Sequence, residues 1–595
     1  MTILERLAGT TKLLVETAMG KHDADLVIRG GTLVNVDSRE LLEDVDVAIK
    51  KGRIAFVGEA GHTIGSETVV IDARGKYVSP GFLDGHVHIE SSMLTLTQFA
   101  RAVLHHGTTG VFIDPHEIAN VLGLDGVKLM VEEAKNLPLK TFVCVPSCVP
   151  AAPAFETSGA EITAADVEEA LDWDGVVGLG EVMDYPSVLR GEDSIHRKIQ
   201  ATLDRGLVVE GHANSLLGRE LAAYAAAGIS SCHEATRVID GVQRIRLGMY
   251  AMIREGTAWQ DVAEVVRCIT ENGLDSRHAC LVTDDRHSET LWKKGHMDDV
   301  VRVAINEGVD PLTAFQMATI NTAEHFGLNR ELGSIAPSKC ADIIILDELE
   351  KVDVDIVVAD GVVVARQGKL TVEIVSSRYP ERVRNTVRLK KPIEPESLAI
   401  KASEEVKTVE AHVIGVVEGR SATKHLYQRL PVERGKVLCS IEEDIAKVVV
   451  VERHSRTGNV GLGFVKGFGL KQGAVASSIA HDSHNIVAVG VDDSEIARAI
   501  NKLAEIGGGI VTSNEEKIDG LVELPVAGLM SEEPIENIVK KFEGLKEAWR
   551  KLGCHIESPF MTLSFLALPV LPELRITDKG LVDTRDFRFI DLLVD

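Results

Sequence analysis

Between residues 81 and 325, short unbroken apolar runs alternate with amphipathic stretches. The runs fall at 82–88, 110–114, 141–145, 176–181, 207–212, 229–233, 249–254 and 279–284, with apolar residues at odd and even positions alike. Strands buried on both faces read this way. Residues 126–136 and 164–171 instead place apolar side chains every three or four positions, which predicts helices with one buried face. Eight strand-then-helix units in this span have the length and rhythm of a (β/α)8 barrel.

The flanks follow another pattern. Residues 25–29, Gly30-Gly31 and 32–36 read as strand, turn, strand, and 45–49 with 51–57 repeat the motif. It returns at 341–346 and 354–364. These segments predict one small β-sandwich domain made from 24–80 together with 326–395, into which the barrel of 81–325 is inserted. Residues 396–595 read as a separate α/β domain: a strand-rich start at 435–451, strands at 475–479 and 486–491, and a helix at 494–504 with Ile496, Ala497, Ile500 and Leu503 on one face. Gly461-Leu-Gly463 lacks dinucleotide-loop spacing and reads as a turn. Residues 1–23 form an N-terminal helical segment. Within it, 1–20 is an amphipathic helix and not a signal peptide, because Glu5, Arg6 and Lys12 interrupt a short apolar run. The fold class is α/β: a (β/α)8 TIM-like barrel inserted in a small β-sandwich, plus a C-terminal α/β domain.

Catalytic groups in such a barrel sit at the C-terminal ends of the strands. Strand one ends in His86 and His88, spaced so that both point to one face. Strand four ends in Glu181, strand five in His212, strand six in His233 and strand eight in Asp284. Four imidazoles and two carboxylates are enough donors for two divalent ions, and a glutamate can bridge them through its two oxygens. Taken singly, each is ordinary: Asp284 reads equally as a helix cap. Six at successive strand ends are hard to obtain by chance. Asp114, His116 and Glu117 follow strand two and are candidates to orient the ligands, with a helix-start cap as the alternative. Glu234 and Asp285, each next to a predicted ligand, are candidates for substrate contact, as is His116. His481 and His484 either close over the site or stabilise a turn; the turn is the expectation.

Composition narrows the partners. The formal net charge of −26 over 595 residues argues against nucleic-acid backbones and anionic membranes. A hydrophobic fraction of 45% and a charged fraction of 26% are those of a soluble globular chain. No stretch is long and apolar enough for a membrane span. The 8 cysteines are scattered without a CxxC pair, which fits reduced thiols in a cytoplasm. The ligand set, imidazole and carboxylate without thiolate, suits zinc, iron(II), manganese(II) or nickel. A Walker loop and the HxE…PCxxC deaminase signature are both absent.

The run Gly81-Phe-Leu-Asp-Gly-His-Val-His-Ile-Glu90 resembles the first-strand motif of the amidohydrolase superfamily. More narrowly, 88–93, 114–120, 178–183 and 283–287 resemble the adenine deaminase family, and 458–463 and 480–485 are similar to that family's extra C-terminal domain. The resemblance covers nearly the whole chain. It implies hydrolysis of adenine to hypoxanthine and ammonia, as in purine salvage, by a metal-activated hydroxide in a two-metal centre. The six strand-end residues fall on the family's metal positions, with Glu181 bridging, Asp284 also the catalytic proton shuttle, and Mn2+ or Fe2+ preferred over Zn2+. It further implies adenine and water as partners and a homo-oligomer, with a dimer expected. The alternative within the superfamily is a deaminase of another base or a cyclic amidase. Such amidases usually bridge their metals with a carboxylated lysine, which Glu181 argues against.

Overall fold

The computed structural model describes residues 7–214, 216–376, 378–420 and 422–594. All eight expected barrel strands form, at Phe82–Val87, Thr108–Ile113, Lys140–Val145, Val176–Val182, Val208–Gly211, Ser231–Cys232, Tyr250–Arg254 and Ala279–Val282. Strands one to five pair in parallel, as do strands six to eight. Backbone hydrogen bonds join the two arcs. On one side Ser230 N donates to Val209 O at 3.0 Å. On the other, Val87 and Asp284 bridge strand one to the end of strand eight. Strands one and two are buried at every position, which explains their unbroken apolar character. The helices expected at 126–136 and 164–171 run over Leu124–Ala134 and Ala164–Ala170.

The flanking segments join in one nine-stranded sheet that folds over a core of Leu26, Ile28, Val47, Ile49, Ile343 and Ile356. Tyr77–Pro80, which leads into the barrel, pairs antiparallel with Ile343–Leu346, which follows it. The two connections of the barrel therefore leave side by side. One detail differs from expectation. Gly30-Gly31 is not a turn: Leu26–Asn35 is a single strand passing through both glycines with a register shift. Gly30 adopts φ +67°, and its N–H donates to Asp46 Oδ1 at 2.8 Å. A bulge held by a carboxylate thus replaces a chain reversal. Of the N-terminal segment, Thr11–Ala18 is helical; the part of that expectation on residues 1–6 lies outside the described residues.

Toward the C-terminus a second nine-stranded sheet carries the helices Asp493–Ile506 and Ile535–Leu552. The first is the helix expected at 494–504. Asp492 caps its start by accepting from Ser494 N and Glu495 N, and Gly507 ends it at φ +81°. Gly461-Leu-Gly463, expected as a turn, lies inside the strand Val460–Lys466. The glycines serve packing: a Cβ on Gly461 would meet Thr577 O at 1.9 Å. The hairpin of Leu574–Thr577 and Gly580–Asp583 lies directly on this strand.

Barrel and C-terminal sheet share contacts throughout. Thr95 N donates to Ser531 O at 3.1 Å, and Thr157 Oγ1 donates to Asp578 Oδ2 at 2.7 Å. Buried apolar residues of both belong to one continuous core. None of the described helices is long and apolar enough to cross a membrane.

The close approach at Gly461 gives a test. Gly461→Ala forces the 577–580 turn away from the sheet and is expected to cost about 1–3 kcal/mol of stability. Denaturant unfolding reads the loss, and amide exchange should show it concentrated in the 574–590 hairpin. An unchanged midpoint would contradict the packing described.

Candidate metal centre and substrate chamber

Six predicted residues converge where the barrel closes. Asp284 N donates to His86 O at 3.0 Å, and His88 N donates to Asp284 O at 3.3 Å. Asp284 sits at φ +57°, a left-handed backbone that turns its carboxylate inward. His86 Nε2 and His88 Nε2 lie 3.2 Å apart, and Asp284 Oδ1 lies 3.3 Å from His88 Nε2 and 3.8 Å from His86 Nε2. His88 Nδ1 donates to the carbonyl of Asp114 at 2.9 Å, which turns Nε2 toward the centre.

Glu181 occupies the middle. Its Oε1 lies 3.5 Å from His88 Nε2, while its Oε2 lies 2.5 Å from His212 Nδ1 and 3.0 Å from His233 Nε2. The two carboxylate oxygens thus face different sets of imidazoles. His86 and His233 stack at 3.9 Å, 14° from parallel. Burial together with the neighbouring His233 and His88 holds the His86 pKa well below its ordinary value, so this imidazole is neutral and offers a lone pair. Burial would raise the Glu181 carboxyl, but His212 and His233 hold it well below its ordinary range. His86, His88 and Glu181, then Glu181, His212 and His233, and His86, His233 and Asp284, are each grouped tightly enough to hold a metal ion. Imidazoles and carboxylates, buried with their donor atoms aimed at one another, are the donor set a divalent cation requires. Asp284 does not cap a helix; the cap of Ser288–Lys293 is His287.

The residues after strand two support this centre. Asp114 Oδ2 accepts from Glu181 N at 2.8 Å. Gly180 permits the approach, since a Cβ there would lie 2.2 Å from Asp114 Oδ2. The cap reading of Asp114 fails for the same reason: its side chain is spent on strand four, and Pro115 takes the N-cap position. His116 Nδ1 lies 3.3 Å from Glu181 Oε1. Glu117 lines the same chamber and reaches the C-terminal sheet, where His481 and His484 approach its two oxygens. The expected turn role holds for His484, whose Nδ1 accepts from Ala480 N at 3.2 Å, and both rings also meet a barrel residue more than 360 positions earlier.

Glu234 and Asp285 both line the adjoining chamber, as does His116. Glu234 is bonded by Arg254 Nη1, which also donates to Asp284 Oδ2 at 2.7 Å, while Arg254 Nε donates to Asp261 at 2.8 Å. Ser91 Oγ donates to Asp285 Oδ1, and burial, with Asp284 beside it, raises the Asp285 carboxyl. Sequence reasoning gave Arg254 no role. Its signal was present: an arginine ends the apolar strand Tyr250–Arg254, where a buried cation needs partners. Trp259 and Phe565, which meet at 5.3 Å and wall the chamber with Leu568 and Leu571, had no comparable signal. The empty space of the chamber, its open mouth included, is about 520 Å³.

Residues 77–369 match the amidohydrolase family, and residues 420–588 match the adenine deaminase C-terminal domain. An adenine deaminase of Moorella thermoacetica is 52% identical over 99% of this chain and 98% of its own length. One from Clostridium botulinum is 48% identical, covering 98% of each. Among solved structures, one of molinate hydrolase superposes with a TM-score of 0.44 at 16% identity, over 60% of this chain and 98% of the other. With full-length identity at this level and both regions matched, the chain belongs to the adenine deaminase family of amidohydrolases.

Proposed function

We infer that this protein hydrolyses adenine to hypoxanthine and ammonia at a centre of two divalent ions. The observation that carries the reading is Glu181, whose two oxygens face separate groups of imidazoles. In this reading His86, His88 and Asp284 hold one ion, His212 and His233 the other, and Glu181 is shared. Manganese(II) or iron(II) fits the thiolate-free ligands, with zinc as the alternative. Such ions, when bound, act as Lewis acids and lower the pKa of a water ligand from 15.7 to about 7.

The chain's own groups supply the rest. C6 of adenine is a poor electrophile and its amine a poor leaving group. Asp284 presents Oδ1 to His86 and His88, while Arg254 binds Oδ2. The guanidinium fixes the carboxylate in one orientation beside the chamber. Asp284 takes a proton from the attacking water and delivers it to the departing amine, so one water is consumed and one ammonia leaves. Met183, Trp259, Phe565 and Leu568 give the chamber apolar walls suited to a flat heterocycle and limit access of further water. The eight unpaired cysteines support work in a reducing compartment, the cytoplasm.

Ammonia release from a panel of adenine, other purines, pyrimidines and cyclic amides tests the activity. Adenine is expected to be the preferred substrate; turnover of hydantoin without adenine would overturn the reading. Asp284→Asn removes the proton carrier and is expected to lower kcat by about 10²–10⁴-fold while the protein stays folded by circular dichroism. Near-normal turnover would exclude the shuttle. Chelation followed by dialysis is expected to abolish activity, and reconstitution to restore it at two equivalents of manganese(II) or iron(II) per chain by elemental analysis. Full recovery at one equivalent would contradict a shared centre.

A further inference from the structure

The C-terminal sheet reaches the chamber through His481, a residue 4% exposed that lines the same cavity as Asp284 and Asp285. Its Nδ1 lies 2.6 Å from Glu117 Oε1, and His484 Nε2 bonds the other oxygen of Glu117. A carboxylate only accepts, so Nδ1 of His481 carries a proton. Phe565 stacks on the ring at 4.9 Å and 23°. The imidazole is thus gripped at one nitrogen and along one face. Among the described residues, nothing engages its Nε2. That nitrogen belongs to a ring held in the wall of the substrate chamber. Burial lowers the His481 pKa, but Glu117 more than offsets this and brings it to about 9, so Nε2 also carries a proton. N1 of adenine is an acceptor, as is N7 when N9 carries the ring proton, and these are the two ring nitrogens nearest the reacting C6.

We propose that His481 is a substrate-contact residue that donates through Nε2 to a purine ring nitrogen flanking C6, with Glu117 as the positioning residue behind it. The C-terminal domain then completes the active site. The contact also explains why a barrel that carries its own candidate ligands is closed by a second sheet. This inference rests on adenine being the substrate.

Two substitutions separate contact from scaffolding. His481→Asn keeps an amide nitrogen near the position of Nδ1, so the bond to Glu117 survives while the chamber donor is lost. His481→Gln places its amide near Nε2 and loses the grip on Glu117. A contact role predicts that the asparagine variant loses about 10- to 100-fold in kcat/KM for adenine and that the glutamine variant regains most of it. A purely structural role predicts the reverse order, with asparagine tolerated, and would overturn the proposal. Inhibition constants of 1-deazaadenine and 7-deazaadenine supply the second readout. The binding penalty of His481→Asn should vanish for whichever analogue lacks the contacted nitrogen; an equal penalty on both overturns the contact. Metal content and melting temperature, unchanged from wild type, establish that each variant is folded. Wild-type turnover of adenine in the same assay tests the activity itself. An inactive wild type sinks both readings, whereas an active wild type with an unaffected asparagine variant sinks only the contact.

Discussion

The backbone bonds that zip strand one to the end of strand eight set the geometry on which the site depends. They run through His86, His88 and Asp284 themselves, so three candidate ligands are placed by main-chain hydrogen bonding and cannot drift apart without opening the barrel. Asp284 accepts a left-handed backbone to do this, a strain on the order of 1 kcal/mol that the closed barrel over-determines. Around this seam lie four imidazoles and two carboxylates, nearly all of them buried. Desolvating such groups costs several kcal/mol per charge. Arg254 balances one edge by binding both Glu234 and Asp284; divalent cations would balance the interior.

A second charge cluster extends the site away from the seam. Asp114 braces Glu181 through its backbone N–H, His116 lies between Glu181 and Glu117, and Glu117 is bonded from the other side by His481 and His484. The chain of contacts runs without a break from the barrel interior to the C-terminal sheet. Hydrogen bonds at 95–531 and 157–578 hold the same two bodies together outside the chamber. Phe565 and Leu568 are thereby kept over the chamber as an apolar wall.

Much of this was legible in the sequence, for a specific reason. Strands buried on both faces leave apolar runs, and a polar residue ending such a run is conspicuous; His212 after Val-Val-Glu-Gly and Asp284 after Leu-Val-Thr are examples. Gly30-Gly31 reads as a turn because a bulge and a turn share the same glycine signature. Thr408–Gly415 and Lys424–Glu433 alternate between buried and exposed positions, with charges on the open face, and their polar character masked them. Val460–Lys466 was hidden by glycines that packing against Thr577 requires. The pairing of Glu117 with His481 and His484 had no local signature, since only the tertiary fold brings those segments together. Arg254 ends an apolar strand as the candidate ligands do, but its guanidinium only donates and pairs with carboxylates, so it falls outside a metal-ligand pattern.

The shared centre is tested most directly by crystallography of the manganese-loaded protein with anomalous scattering collected at the manganese edge. Two peaks are expected, one among His86, His88 and Asp284 and one between His212 and His233, with a Glu181 oxygen bound to each. A single peak, or two ions with Glu181 bound to neither, would contradict it.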